Sequence, residues 1–313
     1  MTTPSPPPTD TTATTLAAST AALRDALAKT LEPGLHIVAT PIGNLADITL
    51  RAIATLANAD VIYCEDTRHS RTLAAHFGIK TPLRAYHEHN ADAARPEILA
   101  ALATGRRIAL ISDAGTPLIS DPGYKLVNDC LDAHHLVTCI PGPSAVITAL
   151  ALAGLPTDQF LFAGFLPPKS AARQTRLKDL STIPATLVFY EAPSRVIACL
   201  TDIATQLGQR ACVIARELTK MHEQNLHGTA AELAAYFEKT EPRGEFVIIV
   251  APPGTVEISD DDIEKRLQHA LKTMSVKDAV KAVAEELKQP RHHVYDLALR
   301  IKESLAPSSR GEG

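Results

Sequence analysis

Three short segments concentrate glycine, proline and small polar residues directly after apolar runs: Ala39-Thr40-Pro41-Ile42-Gly43-Asn44, Asp113–Gly123 and Ile140-Pro141-Gly142-Pro143-Ser144-Ala145. Glycine lets main-chain groups approach a ligand closely, and proline fixes a loop before the ligand arrives. One such segment reads as a tight turn. Three at the ends of strands suit a small, polar, partly charged ligand. Glu65 and Asp66 follow the apolar run Val61–Cys64; they suit either proton acceptance or an ion pair with Arg68 or Arg71. Glu217, Lys220 and Glu223 form a second charged group.

Cations cluster after Phe165-Leu166-Pro167-Pro168, where Lys169, Arg173, Arg176 and Lys178 follow one another, and Arg195 comes after Pro193-Ser194. Such a cluster reads as a solvated basic face or as phosphate contacts that position a nucleic acid without reading its sequence. The run Tyr86-His87-Glu88-His89 holds metal-ligating residue types. A His-x-His pair without a third placed ligand is weak, so no metal site is expected. No Gly-x-Gly-x-x-Gly follows the first strand and no Gly-x-x-x-x-Gly-Lys-Ser/Thr occurs, which lowers dinucleotide and nucleoside-triphosphatase readings. Ser144 lies outside any Gly-x-Ser-x-Gly elbow, so it is expected to cap a helix or touch a ligand.

The elements that must position these residues are legible from periodicity. Leu35–Ala39, Val61–Cys64, Ile108–Ser112 and Val137–Ile140 read as strands. Leu50–Ala59, Ser70–Phe77, Arg95–Ala103, Tyr124–His134 and Ala145–Ala153 read as the helices between them. Such alternation predicts crossover units and a mainly parallel sheet with functional groups at the carboxyl ends of its strands. A second set follows, with strands near Gln159–Ala163, Ala185–Tyr190, Ala211–Arg216 and Phe246–Val250.

The expected divisions are a disordered extension over 1–32, α/β subdomains over 33–154 and 155–255, and a helical appendage over 263–303. In the first thirty residues, 22 are Thr, Ala, Pro or Ser, although Leu16, Leu23 and Leu27 could mark one helical face. In the appendage Ser275 is placed to cap a helix reaching about Leu287, and a second helix is expected from about Arg291 to Lys302.

Length and composition set the outer bounds. The 313 residues exceed one typical domain, and 45% apolar with 21% charged residues is globular composition. A net charge of −4 argues against indiscriminate coating of nucleic acid, and the lack of tryptophan, with 4% aromatics, argues against a stacked-ring platform for single strands. Five widely spaced cysteines without a Cys-x-x-Cys pair read as reduced thiols of a cytoplasmic protein. No apolar run approaches a membrane span, and neither a secretory nor a transit signal is evident at the N-terminus.

Taken in order, Thr40-Pro41-Ile42-Gly43-Asn44-Leu45, Cys64–Arg68, Ile111–Gly123, Pro141–Ala145, Gly164–Pro167, Tyr190–Arg195, Arg216–Lys220 and Gly244-Glu245-Phe246 resemble the tetrapyrrole-methylase superfamily. They are most similar to its RNA-modifying branch. The match spans about residues 34–250. The resemblance implies two α/β subdomains with a cofactor cleft between them, S-adenosylmethionine as cofactor, and 2′-O-methylation of a cytidine ribose in the decoding region of 16S rRNA. It further implies a homodimer, with the 30S subunit as the setting of the substrate.

Carried over by position, the resemblance assigns cofactor contacts to Pro41, Asp113, Gly115, Thr116, Pro117, Ile119, Ser144, Ala145, Tyr190, Glu191, Glu245 and Phe246. Glu65, Asp66 and Lys220 are the candidate catalytic groups, and Lys169, Arg173, Arg176 and Arg195 the candidate RNA contacts. Tetrapyrrole-modifying relatives often carry Gly-Asp-Pro where this chain has Gly115-Thr116-Pro117, a departure that favours RNA over porphyrin chemistry. The alternatives are a methyltransferase for a small tetrapyrrole or corrinoid precursor, and a non-catalytic nucleic-acid-binding protein using residues 275–302.

Overall fold

A computed structural model describes residues 11–254, 260–287 and 290–305. The chain divides into two units, Met1–Pro253 and Gly254–Gly313. In the larger unit the first half alternates as the periodicity predicts: β1 (Gly34–Val38), α2 (Leu50–Asn58), β2 (Val61–Cys64), α3 (Thr67–His76), β3 (Leu83–Ala85), α4 (Ala91–Ala103), β4 (Arg107–Leu110), α5 (Tyr124–Asp132), β5 (Val137–Ile140) and α6 (Ala145–Ala153). The strands form one parallel sheet in the order β3-β2-β4-β1-β5. Because β1 lies inside the sheet between β4 and β5 and is buried along its whole length, its sequence Gly-Leu-His-Ile-Val does not alternate apolar with polar residues. Thr49 and Asp66 start α2 and α3 by accepting from the Ala52 and Arg68 amides.

The second half comprises β6 (Phe160–Phe165), α7 (Ser170–Leu180), β7 (Thr186–Glu191), α8 (Val196–Leu207), β8 (Ala211–Arg216), β9 (Gln224–Thr229), α9 (Ala230–Lys239) and β10 (Phe246–Val250). Its sheet runs β6-β7-β10-β8-β9. Unlike the first sheet, which is parallel as expected, this one is mixed: only β6 and β7 are parallel, while β10 lies antiparallel between β7 and β8, and β8 pairs antiparallel with β9. The β8–β9 hairpin needs no crossover helix, so the strand and helix alternation stops being regular there.

The two halves share one core. Ile42 from the first loop and Val146, Ala149, Leu150 and Ala153 from α6 pack against Val188, Val213, Ala215, Val247 and Ile249 of the second sheet. That apolar contact fuses the expected subdomains 33–154 and 155–255 into one compact unit and fixes the loop ends of both sheets relative to each other.

Preceding β1, α1 (Thr11–Ala28) corrects part of the expected disordered extension. Leu23 packs against the apolar cluster that includes Ile53 and Leu56, and the Asn58 Nδ2 donates to the Leu27 and Lys29 carbonyls at 2.9 and 3.1 Å. An alanine-rich segment with one anchored leucine needs little more to remain helical against a partner helix. Residues 1–10 of that expectation lie outside the described residues.

The smaller unit holds α10 (Asp260–Ala270), α11 (Val276–Glu286) and α12 (Arg291–Leu305). Ile263, Leu267, Val280, Val283, Val294, Leu297 and Ile301 form its core. Ser275 caps α11 by accepting from the Asp278 amide, and the helical region begins at Asp260, three residues ahead of the expected boundary.

Candidate active site

A cleft of about 350 Å³ opens within the larger unit, where the loops of the two sheets face each other. Three loops of the first sheet build one wall. Thr40 and Gly115 exchange backbone hydrogen bonds at 2.9 and 3.0 Å, which ties the loop after β1 to the loop after β4. Thr116 Oγ1 donates to the Pro143 carbonyl at 3.3 Å, tying in the loop after β5. Ile42, Ala114, Gly115, Thr116, Ile119, Ser120 and Asp121 line this wall together with Ser144 and Ala145.

Ser144 sits at the N-cap of α6, yet its side chain makes no capping hydrogen bond and faces the cleft. The loop after β4 is backbone-strained: Leu118 and Ser120 have φ of 74° and 66°, a region that costs a non-glycine residue about 1 kcal/mol or more. Strain of this kind survives only where surrounding contacts over-determine the conformation.

The opposite wall comes from the second sheet. Phe165 ends β6, Tyr190 and Glu191 end β7, and Ala192 and Pro193 follow. Ala215, Leu218, Gly244, Glu245, Phe246 and Val247 complete it. Tyr190 stacks edge-on with Phe162 and Phe165, at 4.8 and 5.6 Å between ring centroids. Gly244 has φ 85°, and a Cβ there would overlap the Glu217 carboxyl group. Only glycine allows the chain to turn into β10 while Glu217 Oε1 accepts from the Glu245 amide at 3.0 Å.

Three acidic residues line the cleft, and the surroundings of their carboxylates differ. Glu191 is buried, accepts from the Ala192 amide at 2.9 Å and pairs with Arg195 at 3.1 Å. Glu245 pairs with Lys220 at 2.9 Å. Asp121 has no cation partner among the described residues; burial, then the neighbouring charges of Glu65 and Asp113, raise its pKa to about 6 against the opposing hydrogen bond from Ser112. Burial and the Asp121 charge likewise push the Tyr190 phenol up to about 12, so it stays protonated.

The candidate catalytic residues fall elsewhere. Glu65 and Asp66 do not line the cleft. Asp66 caps α3 and binds Arg68 at 2.7 Å, the structural ion pair that the sequence left open, and that hydrogen bond holds its pKa down at about 2. Burial, followed by the Asp113 and Asp66 charges, raises the Glu65 pKa, with His87 opposing. Lys220 donates to both Glu217 and Glu245; burial pulls its pKa down, but these two hydrogen bonds outweigh it and the net shift is upward. A lysine held protonated in this way cannot take up a proton.

Of the expected cofactor contacts, Gly115, Thr116, Ile119, Ser144, Ala145, Tyr190, Glu191, Glu245 and Phe246 come together in the cleft. Pro41, Asp113 and Pro117 are not among its lining residues. Asp113 instead accepts from the Asp66 amide at 3.0 Å, locking the loops after β2 and β4 together.

Of the expected RNA contacts, Arg173 requires correction. It is 3% exposed, and its guanidinium binds Asp202 at 2.6 Å and donates to the Pro167 and Pro168 carbonyls. It buttresses the start of α7 from inside. Arg195 is half-buried and committed to Glu191 and the Leu166 carbonyl. Lys169, Arg176 and Lys178 are exposed and make no ion pair among the described residues. Asp121 and Phe165 were missed as functional candidates. Asp121 belongs to a segment recognised as a ligand loop, and Phe165 to the run Gly164–Pro167 that carries the resemblance, but neither residue is assigned a contact there.

Among the described residues no group of three His, Cys, Asp or Glu side chains is arranged to hold a metal ion. No helix among them is long and apolar enough to cross a membrane.

Comparison with known proteins agrees with this architecture. Residues 34–234 match the Tetrapyrrole (Corrin/Porphyrin) Methylases, and residues 257–302 match the RsmI C-terminal HTH domain. The chain is 46% identical over 288 residues to a ribosomal RNA small subunit methyltransferase I of Mesorhizobium japonicum, covering 91% of this chain and 97% of that one. It is 48% identical to a protein of the same name from Xylella fastidiosa, covering 84% of this chain and 98% of the relative. The crystal structure of uroporphyrin-III-C-methyltransferase from Thermus thermophilus shares the fold at 19% identity and a TM-score of 0.52, over 70% of this chain and 94% of the other. With its two sheets, its shared cleft and its small helical unit, the chain belongs to the tetrapyrrole methylase family, in the group of ribosomal RNA small subunit methyltransferase I.

Proposed function

We propose that this chain transfers a methyl group from S-adenosylmethionine to the ribose 2′-oxygen of a cytidine in 16S rRNA. The observation that carries the reading is one cleft that joins a glycine-rich wall to an aromatic and acidic wall in a chain 46% identical to named rRNA methyltransferases. Its volume lies within the range of small-molecule and cofactor sites, about 300–1,000 Å³.

The residues fit that cofactor. Gly115, Thr116 and Ala145 present main-chain groups and little bulk, Tyr190 presents apolar ring surface, and Glu245 presents a carboxylate that suits ribose hydroxyls or an ammonium group. S-adenosylmethionine supplies a methyl group already activated on a sulfonium, so the protein's part is to bind, orient and exclude water. The Lys220 pair holds the Glu245 carboxylate in place beforehand, and the Arg195 pair fixes the buried Glu191 carboxylate beneath the cleft wall.

The RNA side of the reading rests on two exposed features. Phe165 lines the cleft yet is 55% exposed, as an aromatic face offered to an unstacked base would be. Lys169 follows at the N-cap of α7, and the helix carries Arg176 and Lys178, cations exposed to meet phosphates. The reading includes a cytoplasmic enzyme acting on the 30S subunit. It also includes a homodimer, for which exposed Ile147 and Leu152 on α6 offer apolar surface.

The test is methyl transfer from labelled S-adenosylmethionine to unmethylated 30S subunits and to free 16S rRNA, followed by nuclease mapping. Label on one cytidine of the 16S strand is expected. Calorimetric cofactor binding with no label in either substrate would overturn the RNA assignment.

A further inference from the structure

We propose that Asp121 is the catalytic residue that accepts the hydroxyl proton of the ribose as its oxygen is methylated. The inference rests on the methyl-transfer reading above. A ribose hydroxyl is a weak nucleophile, and its proton must leave as the oxygen–carbon bond forms. The ribose oxygen forms the new bond to the methyl carbon while the sulfur–carbon bond breaks. The electron pair stays on sulfur, neutralising it, and the proton passes to the Asp121 carboxylate, giving an ether, a thioether and a carboxylic acid that later loses its proton to water.

Elimination within the cleft singles out this side chain. Of the lining carboxylates, Glu191 is committed to Arg195 and the Ala192 amide, and Glu245 to Lys220. Protonating either would break a charged pair. Lys220 is held protonated by two carboxylates, and the Tyr190 phenol holds its own proton to about 12. Glu65 and Asp66 lie outside the lining residues, and Asp66 is bound by Arg68.

Asp121 lines the cleft, is half-buried, and has no cation beside it among the described residues. The groups facing it are Glu65 from the turn after β2, Asp113 and Ser112 from the loop after β4, and Tyr190 from β7. Two of these are carboxylates that favour its protonated form. Its resulting pKa of about 6 leaves it ionised at neutral pH yet basic enough to receive a proton. The Thr40–Gly115 backbone pair and the hydrogen bond from Thr116 Oγ1 to the Pro143 carbonyl tie the loop that carries it to its neighbours, so the carboxylate is held where it stands before substrate arrives.

The test compares the wild-type chain with Asp121→Asn and Asp121→Glu in single-turnover methylation of 30S subunits across pH 5–8.5. The wild-type rate should rise about tenfold per pH unit to a plateau above pH 6, and Asp121→Asn should lose about 10²–10⁴-fold at pH 7.5 and its inflection near 6. Asp121→Glu should retain an inflection at a reduced rate. Calorimetric affinity for S-adenosylhomocysteine should stay within about threefold in both variants, as befits a group that acts on the proton rather than on cofactor binding. Independently of turnover, ¹³C-aspartate NMR should show one carboxyl resonance titrating near pH 6 in the wild type and missing from Asp121→Asn.

An Asn variant within about threefold of the wild-type rate, or one that keeps the inflection, overturns the proposal. So does a pH-independent Glu variant, the absence of the titrating resonance, or a parallel collapse of homocysteine-nucleoside binding. A wild-type chain that methylates no rRNA would instead refute the functional reading beneath it.

Discussion

Replacing Asp121 by Asn should make the larger unit more stable at neutral pH, although it removes a polar residue from a functional cleft. A carboxyl whose folded pKa is about 6, against 3.8 when free, is harder to ionise in the fold than in the unfolded chain. Between those two values the folded state binds more protons than the unfolded state, so stability falls as pH rises and then stays flat above about pH 6.

The full shift corresponds to about 3 kcal/mol at pH 7.5. Asp121 is only half-buried, and solvent screening reduces this to about 1 kcal/mol. Asparagine keeps the shape and can still accept from Ser112, but it carries no charge to oppose Glu65 and Asp113. For a unit of this size about 1 kcal/mol raises the unfolding midpoint by about 2–4 °C. Scanning calorimetry of both proteins at pH 7.5 and pH 5 measures it. The stabilisation should be present at pH 7.5 and fall to about half at pH 5. A destabilised Asn variant, or a difference independent of pH, would refute the reasoning that burial and like charges raise this group.

Other substitutions separate structural from functional cations. Arg173→Met should destabilise by about 3–5 kcal/mol in chemical denaturation, because Asp202 is left buried without its cation. Replacing Lys169, Arg176 and Lys178 together by Ala should leave stability within about 0.5 kcal/mol, weaken RNA binding and reduce its salt slope by about 2–3, as filter binding would read. Gly244→Ala should cost about 2 kcal/mol or more in the same denaturation assay and weaken calorimetric binding of S-adenosylhomocysteine, since Glu217 must move from the added methyl. Phe165→Ala should raise KM for 30S subunits about tenfold without changing the unfolding midpoint, and Phe165→Tyr should restore it.

Much of the fold is legible in the sequence because the first sheet is parallel and its interior strands β1, β2 and β4 are buried, so these announce themselves, as the short run of β5 also does, by apolar residues ending in Gly, Pro or polar positions. What escaped has local causes. Leu83–Ala85 is three residues long with an exposed arginine in its middle. Gln224–Thr229 is a polar edge strand with no buried residue, held by its hydrogen bonds to β8. Neither offers an apolar period to read.

In the site, loop residues such as Gly115 and Ser144 are visible from composition, but the state of a charged side chain is not. Arg173 and Lys169 look alike in sequence, and only the position of Asp202 one helix away makes the first internal and the second external. Asp121 is one of several acidic residues near the loops, and its environment comes from Glu65 and Asp113, which are 56 and 8 positions away in the chain. Such convergence is a property of the tertiary fold alone.

The central claim is that this cleft methylates a ribose oxygen of 16S rRNA. The most direct measurement incubates the purified chain with S-adenosylmethionine and unmethylated 30S subunits, digests the 16S rRNA to nucleosides and resolves the products by mass spectrometry. The account predicts 2′-O-methylcytidine at about one per 16S strand, absent when cofactor is omitted. A methyl group on a base, or rRNA left unmodified while the cofactor is bound, would contradict it.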